Sequence, residues 1–263
     1  MAPGGIIVAR LTAAPGVKRA SLGLGKDTIQ LGPSGSGLEP FGLLGLDLGL
    51  EPGAKALSLT VFYDDGRAET AASSITVEPR EFPLKKLTVP EKYVTPPKAV
   101  EERIKQEAEL LNMIYSMATS RWLGEGPFII PHGGELAPNF GERRVYNGVP
   151  RSSHAGVDIA APAGAPVRAA NSGRVVLSRD LYFSGKTVII DHGLGLQTVY
   201  CHFSELRVKR GDDVKTGQVI ALAGSTGRST GPHLHWSARL RQSRVDPTSL
   251  VGRLDLSGGS GRR

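Results

Sequence analysis

Cysteine is nearly missing from this chain: Cys201 is the only one in 263 residues. No intrachain disulfide can form, which excludes a small disulfide-stapled scaffold. Aromatic residues are sparse at 6%, too few for a large aromatic core or a run of base-stacking platforms. No apolar run approaches the roughly 20 residues of a membrane-spanning helix. The start, Met1-Ala2-Pro3-Gly4-Gly5, has neither a basic segment nor a long apolar one, so it is not a secretory leader. Either the protein stays in the cytoplasm or a leader segment lies outside this sequence. Acidic charge falls short of basic charge, and the formal net charge is +7. That balance favours an anionic partner such as a nucleic acid, a membrane surface or an acidic wall polymer. The basic residues are scattered, without aromatics interleaved at regular spacing, so nucleic acid is not favoured.

Glycine (34) and proline (18) are plentiful. That composition points to many short strands and turns, a mainly β protein. Residues 1–80 read as a small immunoglobulin-like β-sandwich. Its strands are expected at Ile6–Leu11, Ala56–Tyr63 and Thr70–Val77, with a turn at Asp64-Asp-Gly66. Pro33–Gly37 resembles a phosphate loop only in its glycines. No Lys-Ser/Thr follows, so it reads as a turn. Residues 81–125 combine a proline-rich linker with one amphipathic helix, expected from Ala99 to Ala118 and capped by Thr95. Val100, Ile104, Leu111, Ile114 and Ala118 recur at helical spacing, a stripe that fits packing on a neighbouring body. Residues 126–252 alternate short strands with glycine turns and read as an antiparallel β-domain built from hairpins. Residues 253–263 read as a flexible tail.

The stretch Gly231-Pro-His-Leu-His-Trp236 carries the clearest chemistry. In a strand, His233 and His235 point to the same side. Both can bind a metal, or one can bind it while the other moves protons. His154 and Asp158 stand four residues apart around Gly156, which can bend the chain, and His202 lies on another expected strand. Two histidines and an aspartate make a three-donor set for Zn²⁺ with the fourth position open, which is the mark of a catalytic zinc. The two remaining histidines can then act as general base and as stabiliser of a developing oxyanion.

From Phe140 to Pro247 the chain resembles the lysostaphin and LytM type of zinc endopeptidase. The resemblance rests on Phe140-Gly-Glu-Arg143, His154-Ala-Gly-Val-Asp158, Ile190-Asp-His-Gly193, Tyr200-Cys-His202, Gly211–Ile220, Gly224-Ser-Thr-Gly227 and Gly231-Pro-His-Leu-His235. It implies the duplicated hybrid-motif β-fold, one zinc ion, and hydrolysis of peptide bonds in the stem or cross-link peptides of peptidoglycan. It implies a location outside the cytoplasm, in the periplasm or cell envelope. By the same resemblance His154, Asp158 and His235 are the metal ligands, and His202 and His233 the catalytic pair. Tyr146 is the nearest candidate for a tyrosine that assists the transition state. His192 reads as structural, His132 as a loop residue, and Cys201 as a small buried residue facing away from the metal. A lipoyl-type carrier shares the hairpin pattern but has no use for the histidines. A degenerate relative that activates an amidase is the rival reading, and filled ligand positions weigh against it. Every implied ligand follows Phe140, so residues 1 to about 120 are expected to be dispensable for zinc binding.

Overall fold

The computed structural model describes residues 1–11, 16–25, 27–31 and 41–252. The turn expected at Pro33–Gly37 and the tail expected at 253–263 lie outside them.

The N-terminal part builds two antiparallel sheets. Strand β1 (Ile6–Arg10) precedes β2 (Val17–Leu24), β3 (Asp27–Leu31), β4 (Phe41–Gly45), β5 (Gly53–Tyr63) and β6 (Ala68–Val77). One sheet runs β3-β2-β5-β6, and β1 pairs with β4 to form the other. Leu22, Leu24 and Ile29 of the first meet Leu44 and the adjoining Leu46 of the second in a small core. Alternation along β4 gives that strand a second role. Leu44 faces this small core, whereas Phe41 and Leu43 enter the main core of the C-terminal domain.

The proline-rich linker does not hang free. Strand β7 (Leu84–Leu87) within it pairs in parallel with a strand of the C-terminal domain, Arg143–Tyr146. Helix α1 then spans Lys98–Ser116. Pro97 is its N-cap and supplies no side-chain bond. The expected cap, Thr95, instead donates to Glu91 Oε1 at 2.9 Å. Ala118 lies beyond the helix end. The stripe is anchored by Leu111, Ile114 and Tyr115, and it also contains a buried acid, Glu107. Glu107 accepts from Arg103 Nε at 2.6 Å and from the Tyr182 amide at 2.7 Å. Those bonds offset the cost of burying the carboxylate.

The C-terminal domain opens with β8 (Leu136–Ala137), β9 (Arg143–Tyr146), β10 (Val149–Pro150) and β11 (Gly156–Ala160). Strands β12 (Pro166–Arg168), β13 (Gly173–Leu181), β14 (Gly185–Gly193) and β15 (Leu196–Phe203) follow. The rest are β16 (Glu205–Leu206), β17 (Asp213–Val214), β18 (Val219–Leu222), β19 (His233–Leu240) and β20 (Ser243–Val245). The large sheet runs β17-β13-β14-β15-β19-β11-β8, with β20 beside β19, and its mutual pairings are antiparallel. One face buries Val157, Ile159, Ile190, Tyr200, Leu234 and Trp236 against a small β12-β18-β16 sheet. On the other face α1 covers Leu177, Ile189, Val199 and Cys201. His235 and Asp158 lie on this same side of the sheet, and His235 borders a cavity that Leu111 and Tyr115 of α1 also line.

Candidate metal centre

Strand register brings the centre together. Asp158 on β11 lies directly opposite His235 on β19, and such partners point to the same side of a sheet. His233, two residues earlier, shares that side. His154 precedes β11, and Gly141 N and Glu142 O bond its backbone on the way in. Gly156, between His154 and Asp158, is not among the residues at positive φ. Its role is space: a Cβ there would lie 2.8 Å from His235 Cε1 and 2.6 Å from Ser237 Cβ. The bend expected of this glycine is therefore a cleared place for the His235 ring.

His154 Nε2 is 3.1 Å from Asp158 Oδ1, His235 Nδ1 is 3.0 Å from the same oxygen, and the two nitrogens are 2.8 Å apart. Zinc with arms of about 2.0–2.1 Å asks for donor separations of about 3.3 Å in a tetrahedron. The three donors thus form a face only slightly tighter than a metal needs, and they can hold an ion. Their outer atoms are already engaged. His154 Nδ1 donates to Asn139 O at 3.0 Å, which leaves Nε2 as the inward lone pair. Asp158 Oδ2 accepts from Asn139 Nδ2 at 2.9 Å and Arg144 Nη2 at 2.8 Å, which leaves Oδ1 inward. Orientation by such outer partners is typical of metal sites.

Burial would raise the Asp158 carboxyl, but hydrogen bonds and charge from His154 and His235 outweigh it and hold the group well below the usual carboxylate range. Burial pushes His235 down to about 4 and, with the charges of His233 and His235 adding, His202 down to about 3. These two rings are neutral at pH 7 and offer lone pairs.

His202 and His233 stand across the donor set, with ring centres 4.8 Å apart. His202 Nδ1 donates to Thr226 O and His233 Nδ1 to Gly231 O, both at 2.8 Å, so each ring turns Nε2 toward the centre. His202 reaches this position through a β-bulge. Lys186 pairs with Phe203 and Val188 with Tyr200, so β15 carries one extra residue there, and His202 adopts φ 69°. A bulge re-aims side chains, here that of His202, and so corrects the expected relation of Cys201 to the metal. Simple alternation against His202 puts Cys201 on the side away from the metal. In the structure Cys201 lies opposite His235 and lines the same cavity as His202 and His235. It is small and buried, and burial raises its thiol to about 12.

His192 lies outside the cluster, fully enclosed. Its nitrogens meet Ser172 O at 2.8 Å and Thr198 Oγ1 at 2.7 Å, and burial lowers it to about 4. His132 bonds Pro166 O in a loop. Tyr146 is buried and borders both cavities that flank the cluster. One cavity, about 230 Å³, runs toward α1. The other, about 330 Å³, is walled by Lys85, Leu87 and Val89 of the linker. The reading from sequence missed Asn139, Arg144 and this linker wall. Arg144 follows the Phe140–Arg143 motif directly and was findable there, whereas nothing in the pattern marks Asn139.

Residues 152–247 match the sequence profile of peptidase family M23. Peptidoglycan DD-endopeptidase ShyA of Vibrio cholerae is 42% identical over 107 residues, 40% of this chain and 25% of that protein. DD-carboxypeptidase/endopeptidase Mpg of Neisseria meningitidis is 44% identical over 98 residues, 37% of this chain and 23% of that protein. The chain thus matches about a quarter of the length of these curated relatives. A crystal structure from Pseudomonas aeruginosa assigned as a peptidase M23 is 29% identical, covers 95% of each chain and superposes with TM-score 0.72.

Proposed function

We propose, from the premise that residues 152–247 are a peptidase family M23 domain, that this chain is a zinc-dependent endopeptidase acting on peptidoglycan stem or cross-link peptides. The observation that carries the reading is the inward convergence of His154, Asp158 and His235, with the free Nε2 atoms of His202 and His233 facing them.

His154 through Nε2, Asp158 through Oδ1 and His235 through Nδ1 would hold the ion. Zinc in such a set supplies Lewis acidity, which polarises a carbonyl and makes water a stronger acid. The chain's own residues supply the rest. Asn139 and Arg144 fix the carboxylate so that one oxygen stays inward. His202 and His233 each have Nδ1 committed to a carbonyl, so Nε2 is the atom that accepts a proton from the attacking water. The imidazolium so formed donates to the developing oxyanion or to the departing amine.

The substrate class places the protein outside the cytoplasm, in the periplasm or cell envelope. Residues 1–80, 81–125 and 126–252 serve as sandwich, linker with helix, and peptidase domain. The linker strand β7 forms one wall of the substrate groove.

The test is digestion of purified peptidoglycan with the metal-loaded chain, with and without a chelator, followed by mass analysis of the fragments. The expected result is peptide-bond cleavage that stops on chelation and returns with zinc. A zinc-loaded protein that releases no peptide fragment would overturn the reading.

A further inference from the structure

Arg228 is a charged group that the mechanism above does not use. It sits in the loop before β19, next to Gly227 at φ 75°, and its amide donates to Phe183 O at 2.7 Å. Its guanidinium carbon lies 4.6 Å from the Tyr146 ring centre and 4.9 Å from that of Phe183. Two aromatic faces therefore clamp the cation in place. Among the described residues, no carboxylate lies within ion-pair distance of it. Its basic neighbours are committed elsewhere. Arg144 pairs with Asp158 at 2.8 Å, and Arg151 donates to Val94 O. Burial first, and then the charges of Arg151 and Arg144, lower the Arg228 pKa. The cation is held at a cost that an incoming anion would relieve.

Its position gives the anion a role. Arg228 borders both cavities, as His202 does, so it stands where the two arms of the groove meet. Among the described residues, the arm toward α1 is lined by Arg144, Arg228 and Arg239 and by no acidic residue, whereas Glu142 and Asp158 line the other arm. A planar guanidinium fixed on aromatic rings presents paired donors that match a carboxylate.

We propose that Arg228 binds a carboxylate of the peptide substrate near the scissile bond and so selects substrates that carry one. The proposal rests on the endopeptidase reading above and deepens it. Three probes test it: a cross-linked stem-peptide dimer with free carboxylates, the same dimer amidated at the carboxylate flanking the cross-link, and the dimer amidated at its C-terminus. For the metal-loaded wild type, amidation at the recognised position is expected to lower kcat/KM by about 10–100-fold, the worth of a charge-assisted bond, chiefly through KM. In Arg228→Gln that ratio collapses to within about threefold. Arg228→Lys, which keeps the charge but loses the fork, falls between them. Which amidation causes the loss identifies the source of the carboxylate, and either supports the proposal. A wild type indifferent to both amidations, or a preference that survives in Arg228→Gln, overturns it. Calorimetric binding of the same probes keeps the two readings apart. If the wild type cleaves none of them, the endopeptidase reading fails. A carboxylate preference in binding that Arg228→Gln abolishes still supports the role of Arg228, and no such preference overturns it.

Discussion

The proposal divides the five residues of the centre into metal donors and proton carriers, and single substitutions separate the groups. Replacing His154 or His235 with alanine removes one of three donors, so bound zinc and peptidase activity are expected to disappear together. Replacing His202 or His233 with alanine leaves the donor set intact, and the rate is expected to drop by roughly 10²–10⁴-fold with zinc retained. Metal content measured beside the rate checks both. A His233→Ala protein that loses zinc while His235→Ala keeps it would show the roles reversed. His192 makes a different prediction at this scale. Its folded pKa of about 4 lies below the ordinary histidine value, so the unfolded chain binds more protons between the two. Stability from this group is complete above about pH 6.5 and is lost as pH falls toward 4. His192→Gln is expected to flatten that part of the melting-temperature profile, and an unchanged slope would contradict the assignment. Strand periodicity made it legible that His233 and His235 share a side, whereas the choice of His154, Asp158 and His235 as the donors came from the resemblance to the lysostaphin and LytM type. The orientation of Cys201 relative to the donors was not legible. Cys201 keeps the regular alternation of β15, and the extra residue after it turns His202 to the same side; a bulge leaves no trace in periodicity.

Among the elements, α1 lines one of the two cavities beside the histidines and the linker strand lines the other. The helix was legible from its apolar stripe, though its buried acid was not, since Glu107 reads as an ordinary exposed helix residue. Glu107 ties α1 to the turn that presents Tyr182 and Phe183, and the Tyr182 hydroxyl in turn donates to Lys92 O of the linker at 2.5 Å. Glu107→Ala leaves the Tyr182 amide without its partner and is expected to cost about 1–3 kcal/mol in urea unfolding. The same variant should speed thiol labelling of Cys201, which α1 covers. Labelling as slow as in the wild type would mean that the helix is held by its apolar contacts alone. The pairing of β7 with β9 was hidden for another reason. Proline density predicts an extended chain, but it says nothing about which edge that chain finds.

At the scale of the molecule, Phe41, Leu43 and Leu48 belong to the same core as Phe128, Trp236 and Leu240. The N-terminal part was legible only in its strands β1, β5 and β6 and the turn between the last two, whereas β2, β3 and β4 lie where frequent glycines read as breakers. Its shared core was not, because β4 looks like any apolar strand until its two faces are assigned to different partners. All the donors do follow residue 140, but a chain starting at Ser120 would uncover this core and the strand face beneath α1. Such a truncation is expected to keep the donor set while melting well below the full chain. A fragment that melts as high as the intact protein would show these contacts to be dispensable.

The geometry of the donors has one more consequence. His154 and Asp158 are near neighbours in sequence, whereas His154 and His235 are separated by 81 positions. An ion gripping all three is a clasp across a long ring of chain that includes β12 through β18. Closing a ring of that length restricts the unfolded chain by about 4–5 kcal/mol in a loop-entropy estimate. Withdrawing the ion should therefore speed unfolding even where the fold survives. Stopped-flow unfolding rates with and without chelator measure the difference, and identical rates would mean that the three donors are still held together in the transition state for unfolding.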